Sequence, residues 1–75
     1  MTEFRSPDLY FAAFVQSSDV QMIRTDREKG RVFFVFEHTE ALDELKRTWF
    51  NGTATVKAQQ YASAIKNLKA LCHSV

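Results

Sequence analysis

Residues 31–38 read RVFFVFEH, a strand-like stretch whose two faces are both apolar. Side chains alternate along a strand, so Val32, Phe34 and Phe36 share one face. Phe33 and Val35 share the other, and a strand with two apolar faces is normally covered on both sides. Two arrangements would provide that cover. Either the first helix packs on one face and the last two helices pack on the other, or all three helices lie on one face and a second subunit covers the other face or pairs with an open edge.

The composition predicts a single folded domain over residues 1–75 that uses no metal and no other cofactor. The chain is 45% hydrophobic and contains seven Phe residues, far from a disordered composition. Cys72 is the single cysteine and cannot form an internal disulfide, and with His38 and His73 it falls short of a structural zinc set. A domain this small often needs a further support, so we expect a symmetric homodimer.

Charge and the amino-terminal sequence indicate where the protein acts. The formal net charge is +1, so no strong field attracts nucleic acid or an anionic membrane. The first eight residues, MTEFRSPD, lack the pattern of a signal peptide, and no apolar run approaches the roughly 20 residues that span a bilayer. We therefore expect a cytoplasmic protein that does not bind membranes.

A first helix is predicted within residues 6–19, SPDLYFAAFVQSSD. Ser6 is positioned to act as the N-cap, Pro7 suits the first helical position, and Asp8 complements the positive end of the helix dipole. Residues 9–15 are apolar on every side of the helix, which indicates a helix packed between other elements.

Two strands are predicted next, at residues 20–25 (VQMIRT) and 31–37 (RVFFVFE), because both are rich in Val, Ile and Phe. The polar residues 26–30, DREKG, connect them into a hairpin. Gly30 can adopt the positive φ that closes a short loop with a bulge.

Two further helices complete an α+β fold with the order helix, β-hairpin, helix, helix (αββαα). Thr39 is a good N-cap for residues 40–50, and Asn51-Gly52 supplies a left-handed stop. Asp43 and Arg47 are spaced to pair along that helix. The predicted inward stripes contain Ala41, Leu42, Leu45 and Trp49 in this helix and Tyr61, Ala64, Ile65, Leu68, Leu71, Cys72 and Val75 in the last one, which starts near Ala58.

Three short motifs are spread over most of the chain: SPDLYFAAFV, RVFFVFE and, at the end of the last helix, NLKAL. With their pattern the chain resembles a small family of uncharacterised domains from bacterial and phage-encoded proteins, and the matching positions are Asp8, Leu9, Tyr10, Ala12, Ala13, Phe14, Phe34, Val35, Phe36 and Tyr61. Lys57 departs from the pattern, since the family tends to place an acidic or capping residue before the last helix. The resemblance implies the same element order and a bacterial or mobile-element setting, and it implies no activity.

Few residues could support catalysis. Glu37 and His38 are the one candidate acid–base pair, and they lie at a strand-to-helix junction where an exposed loop is expected. Cys72 falls on the inward stripe, as a small core residue would. Gly30 and Gly52 both serve turns, so no glycine-rich phosphate loop is predicted. We expect no catalytic residues and a protein that is not an enzyme.

Two kinds of binding surface remain open. Arg24, Arg27, Lys29 and Arg31 crowd the predicted hairpin tip, where a basic β-ribbon could bind nucleic acid, although Asp26 and Glu28 cancel half of their charge.

The second kind is a protein interface formed by large aromatic and apolar side chains that the core of one chain does not need. Its candidate residues are Phe33, Val35, Phe11, Trp49 and Phe50. Short helices cannot turn every large ring inward, and exposed rings mark binding patches. The leading hypothesis is a small, non-enzymatic interaction or regulatory module that acts as a homodimer and binds a macromolecular partner, and the alternative is a nucleic-acid-binding protein.

Overall fold

A computed structural model describes residues 2–74, in which three strands and three helices are formed. The elements are β1 (Glu3–Ser6), α1 (Leu9–Ser17), β2 (Met22–Glu28), β3 (Arg31–Glu37), α2 (Glu40–Asn51) and α3 (Ala58–Ser74). The predicted α+β class is confirmed, as is the order of helix, hairpin and two helices. Val75, which was predicted to extend the α3 stripe, lies outside the described residues.

The strand β1 was missed by the sequence prediction. Its four residues pair antiparallel with β3, which makes β3 the centre of a sheet with the order β1-β3-β2. Phe4 and Ser6 lie opposite Phe36 and Phe34, respectively. A strand of four residues with a single apolar side chain carries little local signal, so only pairing with β3 defines it.

Helix α1 begins two residues later than the predicted N-cap implies. The Asp8 carboxylate accepts hydrogen bonds from the backbone amides of Tyr10 (2.9 Å) and Phe11 (3.2 Å), so Asp8 is the N-cap. The prediction of Ser6 was wrong because Ser6 ends β1, and the following Pro7 favours an extended conformation at that residue. The Ser6 hydroxyl instead accepts a hydrogen bond from the Asp8 amide at 3.2 Å.

The hairpin is tighter than predicted. Strand β2 continues to Glu28, and Lys29 and Gly30 alone form the turn, with φ of 51° and 80°. Positive φ at both central residues gives a twist that matches the two strands, so the polar residues 26–28 can remain paired. The irregularity in the ladder lies at the other end of β2, between Met22 and Arg24.

All three helices pack on the face of the sheet that carries Phe34 and Phe36, which is the helix placement of the second predicted arrangement, while its second subunit stays a prediction. The core joins those rings to α1, to Leu42 of α2 and to Leu68 of α3. Residues 11–15 of α1 are all buried, because this helix contacts both other helices and β1. The predicted packing of α1 between other elements is therefore confirmed.

The ends of α2 agree with the prediction, but its surface pairs do not. The Thr39 hydroxyl accepts a hydrogen bond from the Leu42 amide at 3.2 Å, and Gly52 closes the helix in the left-handed region. Asp43 pairs with His38 and not with Arg47, which instead contacts Glu44 at 3.1 Å.

The start of α3 agrees with the prediction, at Ala58, and its inward stripe agrees at every described position except Leu71. Ala64 and Leu68 are buried, whereas Leu71 is exposed. Tyr61, Ile65 and Cys72 pack against the same core, so the inward side of α3 extends from position 61 to position 72.

Candidate interaction surfaces

The face of the sheet opposite the helices is covered by charged side chains of the same chain. Val35 lies on this face between Arg5 of β1 and Arg24 of β2, its partners across the two ladders. Val35 is 0% exposed even though none of the helices within residues 2–74 packs on that side. The aliphatic stems of flanking arginines can shield an apolar residue while their guanidinium groups remain in water.

The guanidinium groups are held in place by ion pairs. Arg24 donates two hydrogen bonds of 2.8 Å to the Glu3 carboxylate and one of 2.9 Å from Nε to Asp26. The hydrogen bond from Arg24 lowers the pKa of the Glu3 carboxyl, and the same contacts raise the pKa of Arg24. Arg5 contacts Glu28 at 3.2 Å and Asp26 at 3.6 Å.

Phe33 is half-buried beneath this charged layer. The guanidinium carbon of Arg5 lies 4.5 Å from the centre of the Phe33 ring, within the range of a cation–π contact. Of the two predicted interface residues on this face, Val35 is therefore covered by its own chain and Phe33 is covered in part. This face does not need a second subunit to exclude water from Val35.

The other three predicted interface residues come together at an aromatic groove. The Phe11 ring lies 6.0 Å from Phe4 and 5.7 Å from Trp49, and Trp49 stacks on Phe14 at 5.2 Å. Beside these rings is an open groove of about 350 Å³ between β1, the start of α1 and the end of α2. Its lining residues are Phe4, Ser6, Asp8, Phe11, Lys46, Trp49 and Phe50.

Within this groove the rings differ in exposure. Phe11 is 5% exposed and belongs to the core, whereas Phe50 is 80% exposed at the rim. Trp49 is half-buried between them, with one side in contact with Phe14. The groove thus combines a fixed aromatic floor with a ring that contributes little to the core of this chain.

Lys46 is the one cation among the described residues that line the groove. The Lys46 ammonium is 4.7 Å from the centre of the Phe4 ring. Asp8 is nearby, but its carboxylate accepts the two amides that begin α1. Lys46 therefore provides a positive charge next to apolar surface, which suits a ligand with an apolar side chain and a neighbouring carboxylate.

The four predicted nucleic-acid contacts do not form one patch. Arg24 belongs to the ion pairs above Val35, and Arg27 projects to the helix side, where its Nη2 donates to the Cys72 carbonyl at 3.2 Å. Lys29 and Arg31 are exposed on either side of Gly30 at the turn. The four side chains therefore lie in three places. Arg24 is on the face opposite the helices, Arg27 is on the face that the helices cover, and Lys29 and Arg31 are at the hairpin turn.

The candidate catalytic pair is also rearranged. His38 Nε2 lies 2.7 Å from Asp43 Oδ1 in the first turn of α2, rather than against Glu37, and this contact lowers the pKa of Asp43. Both side chains are substantially exposed. Cys72 is a half-buried free thiol. Within residues 2–74, no three His, Cys, Asp or Glu side chains converge as metal ligands would.

Sequence reasoning missed the contribution of β1 to both surfaces. Glu3 and Arg5 complete the charged layer, and Phe4 forms a wall of the aromatic groove. The one available signal in β1 was a single apolar residue, Phe4, between polar neighbours, and this is too little to predict a strand.

The chain belongs to a family of unknown function. The family model described as "Domain of unknown function (DUF5659)" matches residues 1–74. No curated protein and no solved structure matches the chain. The predicted membership of an uncharacterised family is confirmed, and the bacterial or phage setting stays a prediction. Among the described residues, no helix is long and apolar enough to cross a membrane.

Proposed function

We propose that this domain is a non-enzymatic interaction module of the cytoplasm that acts as a homodimer and binds a protein partner at the aromatic groove. The observation that carries the proposal is the position of Phe50, 80% exposed at the rim of a groove whose floor is aromatic. A large ring left in water beside a concave apolar surface is the arrangement found at protein interfaces.

The chemistry of the groove favours a short peptide segment as the ligand. A volume of about 350 Å³ accommodates one or two apolar side chains, and the Lys46 ammonium can pair with a carboxylate next to them. Burial of the Phe50 ring against such a segment would contribute about 1.5–3 kcal/mol to binding. The partner we propose is therefore a protein that presents an apolar side chain beside an acidic one.

A random peptide library displayed on phage tests this proposal. Peptides selected on the parent domain should be enriched in an apolar residue next to Asp or Glu. They should bind the Phe50→Ala variant about ten- to a hundredfold more weakly, because 1.4 kcal/mol corresponds to a factor of ten.

Tyr10→Ala is the matched control, since Tyr10 is a second exposed aromatic residue that does not line the groove. It should leave peptide binding unchanged. The groove proposal is wrong if no peptide is enriched, or if the selected peptides bind Phe50→Ala and the parent equally well.

The homodimer is supported by the sheet. Within residues 2–74, β1 and β2 each pair with β3 only, so both edges of the sheet are open. Open edges readily pair with another strand. Sedimentation equilibrium over a range of protein concentrations tests this part, and a monomer at every concentration would exclude it.

The alternative function is nucleic-acid binding by the hairpin tip, where Lys29 and Arg31 are exposed. It is the weaker candidate because Arg24 and Arg27 have partners within the chain. Binding of mixed-sequence DNA or RNA that weakens steeply with salt, and that is lost in Lys29→Ala/Arg31→Ala, would favour it.

A further inference from the structure

The open edge of β2 can be described in terms of its backbone groups. The His38 amide donates to the Thr2 carbonyl at 3.0 Å, so position 38 directs its backbone groups toward the β1 side of β3. Backbone groups alternate along a strand, so positions 31, 33 and 35 of β3 are directed toward β2. Their ladder partners are Glu28, Asp26 and Arg24.

The residues that alternate with those partners direct their backbone groups away from β3. Thr25 and Arg27 must direct their backbone N–H and C=O groups away from β3, toward the open edge. The irregularity at Ile23 ends the regular edge on one side, and the Lys29-Gly30 turn ends it on the other. Thr25 and Arg27 are both flanked by regularly paired residues, so a second strand could be centred on either of them or on Asp26 between them.

We infer that a second copy of this chain pairs with this edge, β2 against β2, about a two-fold axis at Thr25. This inference rests on the homodimer proposed above and adds which strand forms the interface and in which register. The two Thr25 residues would exchange their outward N–H and C=O groups. The two three-stranded sheets would then form one continuous six-stranded sheet.

Charge complementarity selects this register. With the axis at Thr25, Arg24 of each copy lies opposite Asp26 of the other, so the interface contains two equivalent pairs of opposite charge. Both side chains already lie on the face of the sheet opposite the helices, where Arg24 contacts Asp26 within one copy. The second copy would extend the same layer of ion pairs.

The neighbouring registers oppose like charges. An axis at Asp26 places Arg24 of each copy opposite Glu28 of the other, but it also places the two Asp26 carboxylates opposite each other, whereas the axis at Thr25 opposes no like charges. An axis at Arg27 opposes the two Arg27 side chains and also places Asp26 opposite Glu28. Like charges directly across a ladder are destabilising.

Two observations favour β2 over β1 as the pairing edge. Strand β2 has seven residues, whereas β1 has four and is followed directly by Pro7. Ile23 is 48% exposed at the β2 edge, and a second strand beside it would cover part of that apolar surface.

Charge reversal with complementation tests the inference. In a dimer of Arg24→Glu, position 24 of each copy carries a negative charge opposite Asp26. In a dimer of Asp26→Arg, position 26 of each copy carries a positive charge opposite Arg24. Each variant alone should therefore dissociate at least about tenfold more readily than the parent. An equimolar mixture restores opposite charge at both positions, Glu against Arg and Asp against Arg. Sedimentation equilibrium should show the mixed dimer at the parent's affinity, which also demonstrates that both variants are folded.

Two further variants complete the experiment. Thr25→Pro removes the outward N–H without removing a bond to β3, so it should give a folded monomer by circular dichroism and sedimentation. Arg47→Glu makes the same charge change on α2, where Arg47 contacts Glu44 of the same helix, and should leave the dimer intact.

The possible results are distinguishable. A dimeric parent whose Arg24→Glu, Asp26→Arg and Thr25→Pro variants remain equally dimeric overturns the β2 interface and leaves the homodimer standing. Single variants that dissociate without rescue in the mixture overturn the register. A parent that is monomeric throughout overturns the homodimer and this inference together, while the peptide test of the groove is unaffected.

Discussion

Arg24 on β2 and Glu3 on β1 meet across the central strand, with two hydrogen bonds of 2.8 Å between the guanidinium and the carboxylate. This pair spans the full width of the sheet on the face opposite the three described helices. Together with Arg5, it explains why Val35 is completely buried there. A small domain can thus cover an apolar strand with long charged side chains instead of a second layer of structure.

The stability of the domain should depend on the ionisation of Glu3. Because Arg24 lowers the pKa of Glu3 in the folded state, the contribution of this pair is fully present above the ordinary value of 4.5 and is lost as the pH falls through the lower folded pKa. Urea denaturation at a series of pH values should show this decrease. Glu3→Gln and Arg24→Gln should both make the profile flatter in acid, and a parent-like slope in both variants would contradict the role of the pair.

Replacing a Phe of β3 by Ala should lower the free energy of unfolding more on the face that the helices cover than on the opposite face. Phe34→Ala removes a ring that is buried in the core, with an expected loss of about 3–5 kcal/mol in the free energy of unfolding. Phe33→Ala should cost roughly half as much, because that ring is half-exposed beneath Arg5. Equal losses in urea denaturation would show that the charged layer buries Phe33 as fully as the helices bury Phe34.

Helix α1 should depend on Asp8. Asp8→Ala removes the acceptor for the Tyr10 and Phe11 amides and should lower the free energy of unfolding by about 1 kcal/mol. Asp8→Asn retains an acceptor oxygen and should be close to the parent. If the Ala and Asn variants unfold at the same urea concentration, the cap does not contribute as described.

The end of α2 should depend on the conformation of Gly52. Its φ of 74° lies in the left-handed region, and an added Cβ would meet no atom within 4 Å. Gly52→Ala should therefore cost about 1–2 kcal/mol for backbone reasons alone. Gly52→Asn should cost less, since Asn tolerates this region better, and a thermal melt that ranks Ala above Asn would contradict this explanation.

The exposed ring of the aromatic groove should contribute little to folding. Phe50→Ala is expected to change the free energy of unfolding by no more than about 0.5 kcal/mol, because 80% of this residue is in contact with water. Trp49→Ala should cost several times more, since Trp49 stacks on Phe14 and contacts Phe11. A large loss for Phe50→Ala would indicate a structural role for this residue and remove the main support for the groove as a binding site.

Local sequence determined the features that depend on a few neighbouring residues. The β-branched and aromatic residues of β3 predicted the central strand, and Thr39 with Asn51-Gly52 predicted both ends of α2. The surplus of large rings predicted that not all of them could face inward, and Tyr10 and Phe50 are exposed, while the protein interface itself stays a prediction. Each of these features follows from short-range sterics, hydrogen bonding or hydrophobic patterning.

Contacts between distant residues determined the rest. Strand β1 exists because β3 supplies its hydrogen-bond partners more than 25 residues away in the chain, and Arg24 meets Glu3 only once both strands are in the sheet. The packing of the elements against each other also buries Phe11 and leaves Phe50 exposed, although both are phenylalanines on helices. Which ring is covered depends on where the elements meet, and that is decided by tertiary packing rather than by the local chemistry of either residue.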